Sequence, residues 1–431
     1  MLLADKVPEA MKKRLKLEQV FMDIRRHNYT VPEEDALNEA QKMIEGMTGE
    51  ELDRLKSEGR IDWIFLDGKV MYHESFARNL PIFHTEYQKR LKDQTWRSTP
   101  QQFEPFFEGF RDKLTDGAEV GAHIHIRHTL TLEPNVIEPK KVRVHIPFPV
   151  ERQQVSNVKI INAEPEVKKL PSSDEGQPTV YFEEMANEVS KFSVEYEYDN
   201  KVTYHNLTLP CYYERAENAS VPEEEKKYLR EELPHIVISP YIKMLAEEIA
   251  GDVTNPLEKA RKFYDFMMNS MEYSLVREYS AINCISESAA VDLKGDCGVQ
   301  AILFIALCRA SGIPARWQSG LMAFPGHVWN HDWAMFYIPG TGWLYCDPSM
   351  GGIFRQLGKE DKCRFYFGNL DPYRMPCNNE FQSELVPEKV WFRFDPCDNQ
   401  DGEAEYEDRG LYYTRDDYTV EIEDVDIHLL R

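Results

Sequence analysis

The stretch that most constrains this 431-residue chain runs from Lys294 to Pro348. It opens on Lys294-Gly295-Asp296-Cys297, a glycine-bearing turn that delivers a cysteine. From Gly298 to Arg309 the residues Val299, Ile302, Leu303, Ala306 and Ala310 recur at helical spacing, and Phe304 and Ile305 fill the other face. That pattern predicts a helix buried nearly all round, which only a fold able to wrap it on every side can hold. Ser311-Gly312-Ile313-Pro314 supplies the stop, a C-cap glycine with a proline beyond it. Trp329 to Ile338, then Gly342 through Cys346, read as two strands joined by a Pro-Gly-Thr-Gly turn.

Cys297 falls at a helix N-terminus, where unpaired N–H groups and the helix dipole favour a thiolate. His331 and Asp347 fall on the two strands. A cysteine, a histidine and an aspartate so placed have the parts of a nucleophile, its base and the base's orienter. The pattern Gly-Asp-Cys, then Ala-Leu-Cys-Arg-Ala-Ser-Gly-Ile-Pro-Ala-Arg, then His-x-Trp, Gly-Trp and Asp-Pro resembles the transglutaminase-like superfamily. His331 precedes Trp343 by 12 residues and Asp347 by 16, whereas His327, which also begins a His-x-Trp, stands four residues too far from the Gly-Trp turn. The resemblance implies that Cys297, His331 and Asp347 are the catalytic cysteine, histidine and aspartate. It also implies a papain-like α+β core, a buried nucleophile helix packed on an antiparallel sheet. One position departs from the family pattern: Met335 stands two residues after the tryptophan, where an acidic residue is common.

Around this core the chain reads as three regions. Residues 1–116 are mostly helical, with Thr48-Gly49-Glu50-Glu51 as a capping box, Gly59 as a stop, Asp67-Gly68 as a hairpin turn and a helix from Pro81 to Lys92. Residues 117–205 alternate as strands do and predict a small antiparallel β-sandwich; bacterial members of the family often carry such a domain ahead of the core. Residues 206–431 hold the catalytic domain with a C-terminal extension, in which the acidic run Asp398 to Asp408 reads as a solvated loop and Tyr418 to Leu430 as an edge strand. His123 and His125 share one face of a predicted strand. A metal site there needs further ligands that the sequence does not supply, so they read as a solvated face opposite the inward Ile124 and Ile126. No cofactor or metal is expected. Cys308 reads as core, Trp333 and Trp343 as packing, and Cys346 as turned away from the catalytic face.

Composition enters through what it excludes. The balance of 51 basic against 74 acidic residues gives −23, which argues against nucleic acid or an anionic membrane as partner. No apolar run is long enough to span a bilayer, and the N-terminus turns charged at once, unlike a signal peptide. Eight cysteines without Cys-x-x-Cys spacing are neither a disulfide framework nor a structural zinc site. The expectation is a cytoplasmic protein with reduced thiols. Three functions compete: a thiol-dependent hydrolase of amide or peptide-type bonds acting on a peptide or protein, an acyltransferase of the transglutaminase type, and a catalytically idle binding scaffold. Animal cross-linking members add two β-domains and use calcium, and peptide N-glycanases add zinc cysteine pairs; neither addition is evident here.

Overall fold

The computed structural model describes residues 6–83, 85–93, 104–393 and 396–431. They divide into two compact units, Met1–Thr99 with Tyr273–Ile282, and Pro100–Glu272 with Asn283–Arg431. In the first, helices α1 (Glu9–Asn28), α2 (Glu33–Met43) and α3 (Gly49–Ser57) precede the hairpin β1 (Trp63–Leu66) and β2 (Lys69–Tyr72). Both local signals are realised. Thr48 and Glu51 exchange the two bonds of a capping box at 3.2 and 3.1 Å, and Leu66 pairs with Lys69 across the Asp67-Gly68 turn. Ala36, Ala40, Ile44, Leu52, Leu55, Tyr72 and Leu80 form its core. The helix expected from Pro81 to Lys92 is instead two shorter ones, α4 (Phe76–Phe83) and Thr85–Gln88, because Phe76, Ala77 and Leu80 already supply a buried face upstream of the proline.

The second unit begins with α5 (Glu104–Arg111) and the strands β3 (Glu119–Leu132), β4 (Lys141–Pro147), β5 (Val155–Glu164), β6 (Thr179–Met185) and β7 (Lys191–Thr203). On β3 the alternation holds. Ile124 and Ile126 are buried, while His123 and His125 face outward and meet Asp199 and Glu195 of β7, each at 2.9 Å. Carboxylates therefore do stand beside these histidines, supplied by a neighbouring strand that spacing along β3 could not reveal. Among the described residues no group of three or more His, Cys, Asp or Glu side chains is placed to hold a metal ion.

The core follows as α6 (Pro240–Ala250), α7 (Pro256–Ser270), α8 (Ile285–Asp292) and α9 (Cys297–Ala310), then β8 (Ala315–Phe324), β9 (His327–Ile338), β10 (Gly342–Cys346), α10 (Pro348–Gln356), β11 (Phe367–Gly368) and β12 (Arg374–Pro376). The five strands form one antiparallel sheet in the order β11–β10–β9–β8–β12. Every residue of α9 from Cys297 to Arg309 is buried, as its all-round apolar pattern requires. Its Phe304 ring meets Phe336 of β9 edge to face at 5.5 Å.

The C-terminal extension does not stay with the catalytic core. Its strands β13 (Glu403–Tyr406), β14 (Gly410–Leu411) and β15 (Tyr418–Leu429) complete the sandwich as sheets β14–β13–β4–β6 and β15–β3–β7–β5. The two sheets meet at Phe182 and Phe192, 5.8 Å apart. This differs from a sandwich contained in 117–205: β3 and β4 would each have been an open edge, and the returning strands cover them. The run from Asp398 to Asp408 is likewise no solvated loop for most of its length: only Glu407 and Asp408 at its end are exposed. Glu403 is buried between Lys389 and Arg393, both at 2.7 Å, and the buried Glu405 accepts the backbone N–H groups of Val390 and Trp391. Glu403 and Glu405 found partners elsewhere in the fold, and a count of charge along the sequence cannot see partners.

Candidate active site

Cys297 is the first residue of α9. Asp296 caps that helix, its carboxylate accepting from Val299 N at 3.2 Å. Gly295 is required just before it, because a Cβ there would lie 2.2 Å from a Val299 methyl. At the far end Gly312 takes φ +78°, the left-handed stop expected after the helix.

His331 and Asp347 are brought together. His331 Nε2 lies 2.8 Å from Asp347 Oδ2, and both side chains are buried. Asp347 caps α10, accepting with Oδ1 from Met350 N and Ser349 Oγ, each at 3.0 Å, while Oδ2 also takes Arg374 at 3.0 Å. Arg374 is fully buried, bonds Asp371 at 2.5 Å and lies 5.2 Å over the Trp333 ring. Burial alone would raise the Asp347 pKa, but His331 and Arg374 outweigh it and hold the carboxyl at about 2. An ionised carboxylate only accepts, so the His331 Nε2 carries the hydrogen. In the neutral ring Nδ1 is then the basic nitrogen.

Cys297 meets a different partner. Its Sγ donates to Asp332 Oδ2 at 3.3 Å, and among the described residues no hydrogen bond joins Cys297 to His331. Strand alternation explains the difference. Trp333 belongs to the face that carries Tyr345, with the His331 ring 6.3 Å from its own, whereas Asp332 belongs to the face that carries Phe336 and meets α9. Asp332 is itself buried, and its Oδ1 accepts from Gln400 Nε2 at 2.7 Å. Gln400 also donates to the His331 carbonyl at 3.1 Å. Burial first, then the Asp332 and Asp296 carboxylates, push the Cys297 thiol well above its ordinary range. This runs against the expectation of a thiolate: burial and the two neighbouring carboxyl groups oppose the roughly half charge of a helix N-terminus.

Of the other expectations, Cys308 is buried mid-helix and Cys346 is buried where β10 pairs with Ala334 of β9. Trp333 is packed, its indole N–H donating to Gln318 at 2.7 Å, and Trp343 packs edge to face on Tyr228 and Tyr337. His327 is exposed at the start of β9 and stacks on Trp329. Arg374, Asp332 and Gln400 were missed. Only Asp332 carried a signal, lying inside the His-x-Trp motif itself.

Residues 243–348 match the model of the Transglutaminase-like superfamily, a span from α6 to the start of α10 that contains all three expected residues. They are a transglutaminase-like domain. An uncharacterized protein of Haemophilus influenzae is 27% identical over 190 residues, covering 36% of this chain, and the chain spans 50% of that relative's length. Among solved structures, a candidate cysteine protease from Cytophaga hutchinsonii is 15% identical with a TM-score of 0.43, covering 72% of this chain and 90% of that one. The periplasmic domain of TgpA from Pseudomonas aeruginosa is 13% identical with a TM-score of 0.32, covering 56% and 92%. Among the described residues, no helix flanking the transglutaminase-like domain or within it is long and apolar enough to cross a membrane.

Proposed function

We propose that the transglutaminase-like domain is a thiol-dependent hydrolase of amide or peptide-type bonds in a peptide or protein substrate. Cys297 is the nucleophile, His331 the base and Asp347 the carboxylate that orients it. The observation that carries this reading is the buried 2.8 Å bond from His331, on strand β9, to Asp347, which follows β10 as the cap of α10 rather than lying on a strand as expected. It fixes the tautomer and leaves Nδ1 as the basic nitrogen, toward which the thiol must turn from Asp332 before its proton can pass. The thiolate attacks the carbonyl carbon, with the Cys297 N–H at the first helical position donating to the oxyanion. The imidazolium returns the proton to the leaving nitrogen as the C–N bond breaks. Water, deprotonated by His331, then resolves the thioester to the acid and the free thiol.

The test is to quench a reaction with a glutamine-bearing peptide in acid and map adducts by mass spectrometry. An acyl group on the Cys297 peptide, absent in Cys297→Ala, is expected. With a labelled primary amine present, ammonia or peptide release should outrun incorporation; faster incorporation would make the domain an acyltransferase. A second reading, an idle scaffold, is favoured by the Cys297 thiol resting on a carboxylate. It takes the place of the first if wild-type protein yields neither adduct nor product.

A further inference from the structure

We propose that Asp332 restrains the nucleophile: its carboxylate holds Cys297 as the neutral thiol, and Gln400, from the segment that returns toward the sandwich, anchors that carboxylate in place. The inference rests on the reading of Cys297 as nucleophile, but its readout needs no turnover.

The geometry is a three-member chain. Cys297 Sγ donates to Asp332 Oδ2 at 3.3 Å, and Gln400 Nε2 donates to Asp332 Oδ1 at 2.7 Å. Nearby, Ser319 Oγ donates to the Asp398 carbonyl at 2.6 Å, and Asn330 Nδ2 to the Asp401 carboxylate at 2.8 Å. Gln400 is thus held by its chain neighbours over β8 and β9, and all three members of the chain are buried. A thiolate at this position would put a negative charge within hydrogen-bond distance of the Asp332 carboxylate, with both side chains buried. Both burial and like charge disfavour that state. After burial, the groups that push the Cys297 thiol up are Asp332 of β9 and Asp296 at the cap of its own helix. On the proposed reading, ionisation requires the S–H to leave Asp332 and the thiol to turn toward the His331 ring, which strand alternation sets on the other face of β9. Seating a substrate carbonyl over the sulfur would be the natural occasion for that exchange.

Asp332→Asn is the informative substitution. The amide oxygen can still accept from Gln400, while its N–H₂ now faces the sulfur and donates to a thiolate instead of repelling it. The experiment measures iodoacetamide labelling of the Cys297 peptide against pH, in wild type, in Asp332→Asn, and in each combined with His331→Ala. Wild-type Cys297 is expected to reach half-maximal rate above about pH 8.5, the value for a free thiol. In Asp332→Asn the half-point should fall by at least about one unit, so that labelling at pH 7 quickens roughly tenfold. The same fall should persist without His331. A wild-type half-point below about 8.5 overturns the proposal, and where Asp332→Asn does not fold, that profile alone decides. A fall that vanishes in the His331→Ala background also overturns it, since the charge would then act through the imidazole. If labelling follows these expectations while no acyl adduct ever forms, the hydrolase reading fails and the restraint stands. If an adduct forms while the wild-type half-point lies below that of a free thiol, the restraint fails and the hydrolase reading stands.

Discussion

The two faces of strand β9 treat a buried carboxylate in opposite ways. On one face Asp347 and Asp371 share the guanidinium of Arg374, and Asp347 also accepts from His331, so every charge has an opposite charge beside it. On the other face Asp332 accepts from a thiol and from a neutral amide. The first arrangement keeps Asp347 ionised and locks one tautomer of the imidazole. The second sets a carboxyl group against a buried thiol. The lesson is that one strand can give an imidazole and a neighbouring thiol opposite electrostatic settings, because consecutive side chains face different surroundings.

Removing the cation should break the comparison most severely. Arg374→Met strands two buried carboxylates, and uncompensated buried charge typically costs about 3–5 kcal/mol. Urea unfolding of the whole chain should show a loss of that size. A loss under about 1 kcal/mol would mean that water reaches Asp347 and Asp371, and the contrast between the faces would collapse.

Acid should sharpen the comparison less violently. The folded-state pKa of Asp347, about 2, lies below the ordinary value near 3.9. For a depressed carboxyl the stabilisation is fully present above the unfolded value and is lost as pH falls through the folded one. Stability should therefore hold down to about pH 4 and decline toward pH 2, by about 2–3 kcal/mol from this group. Asp347→Asn should flatten that decline. If the variant and the wild type lose stability in parallel over that range, the charge pairing on this face is not what sets the Asp347 pKa.

Much of the core was legible in the sequence, and the reasons are local. The α9 helix was marked by apolar residues on all sides, the Asp67-Gly68 hairpin by its turn chemistry, and the α3 cap by Thr48 and Glu51. His331 and Asp347 were marked by spacing. What the sequence hid is long-range pairing. Gln400 lies 68 residues beyond Asp332, in a run whose acidity suggested solvent, and nothing in that run names Lys389, Arg393 or β9 as partners. Nor does alternation along a strand say which neighbour each face will meet. The spacing pointed to His331 as the thiol's partner, and the thiol meets the adjacent Asp332 instead.

The smallest effect should come from Gln400→Met, which puts the same substituent on the second face that Arg374→Met puts on the first. It removes a neutral donor from Asp332 Oδ1 and from the His331 carbonyl. Asp332 keeps the Cys297 thiol at its other oxygen, so the carboxyl group is not stripped of every donor. The loss should fall near about 1 kcal/mol, the low end of the cost for a buried acceptor deprived of one bond. Urea midpoints measured side by side give the comparison its number, and the ratio of the two losses is what matters. A Gln400→Met loss as large as that of Arg374→Met would mean that the segment around Gln400 is a structural clamp on β9, with the carboxylate it holds a secondary matter.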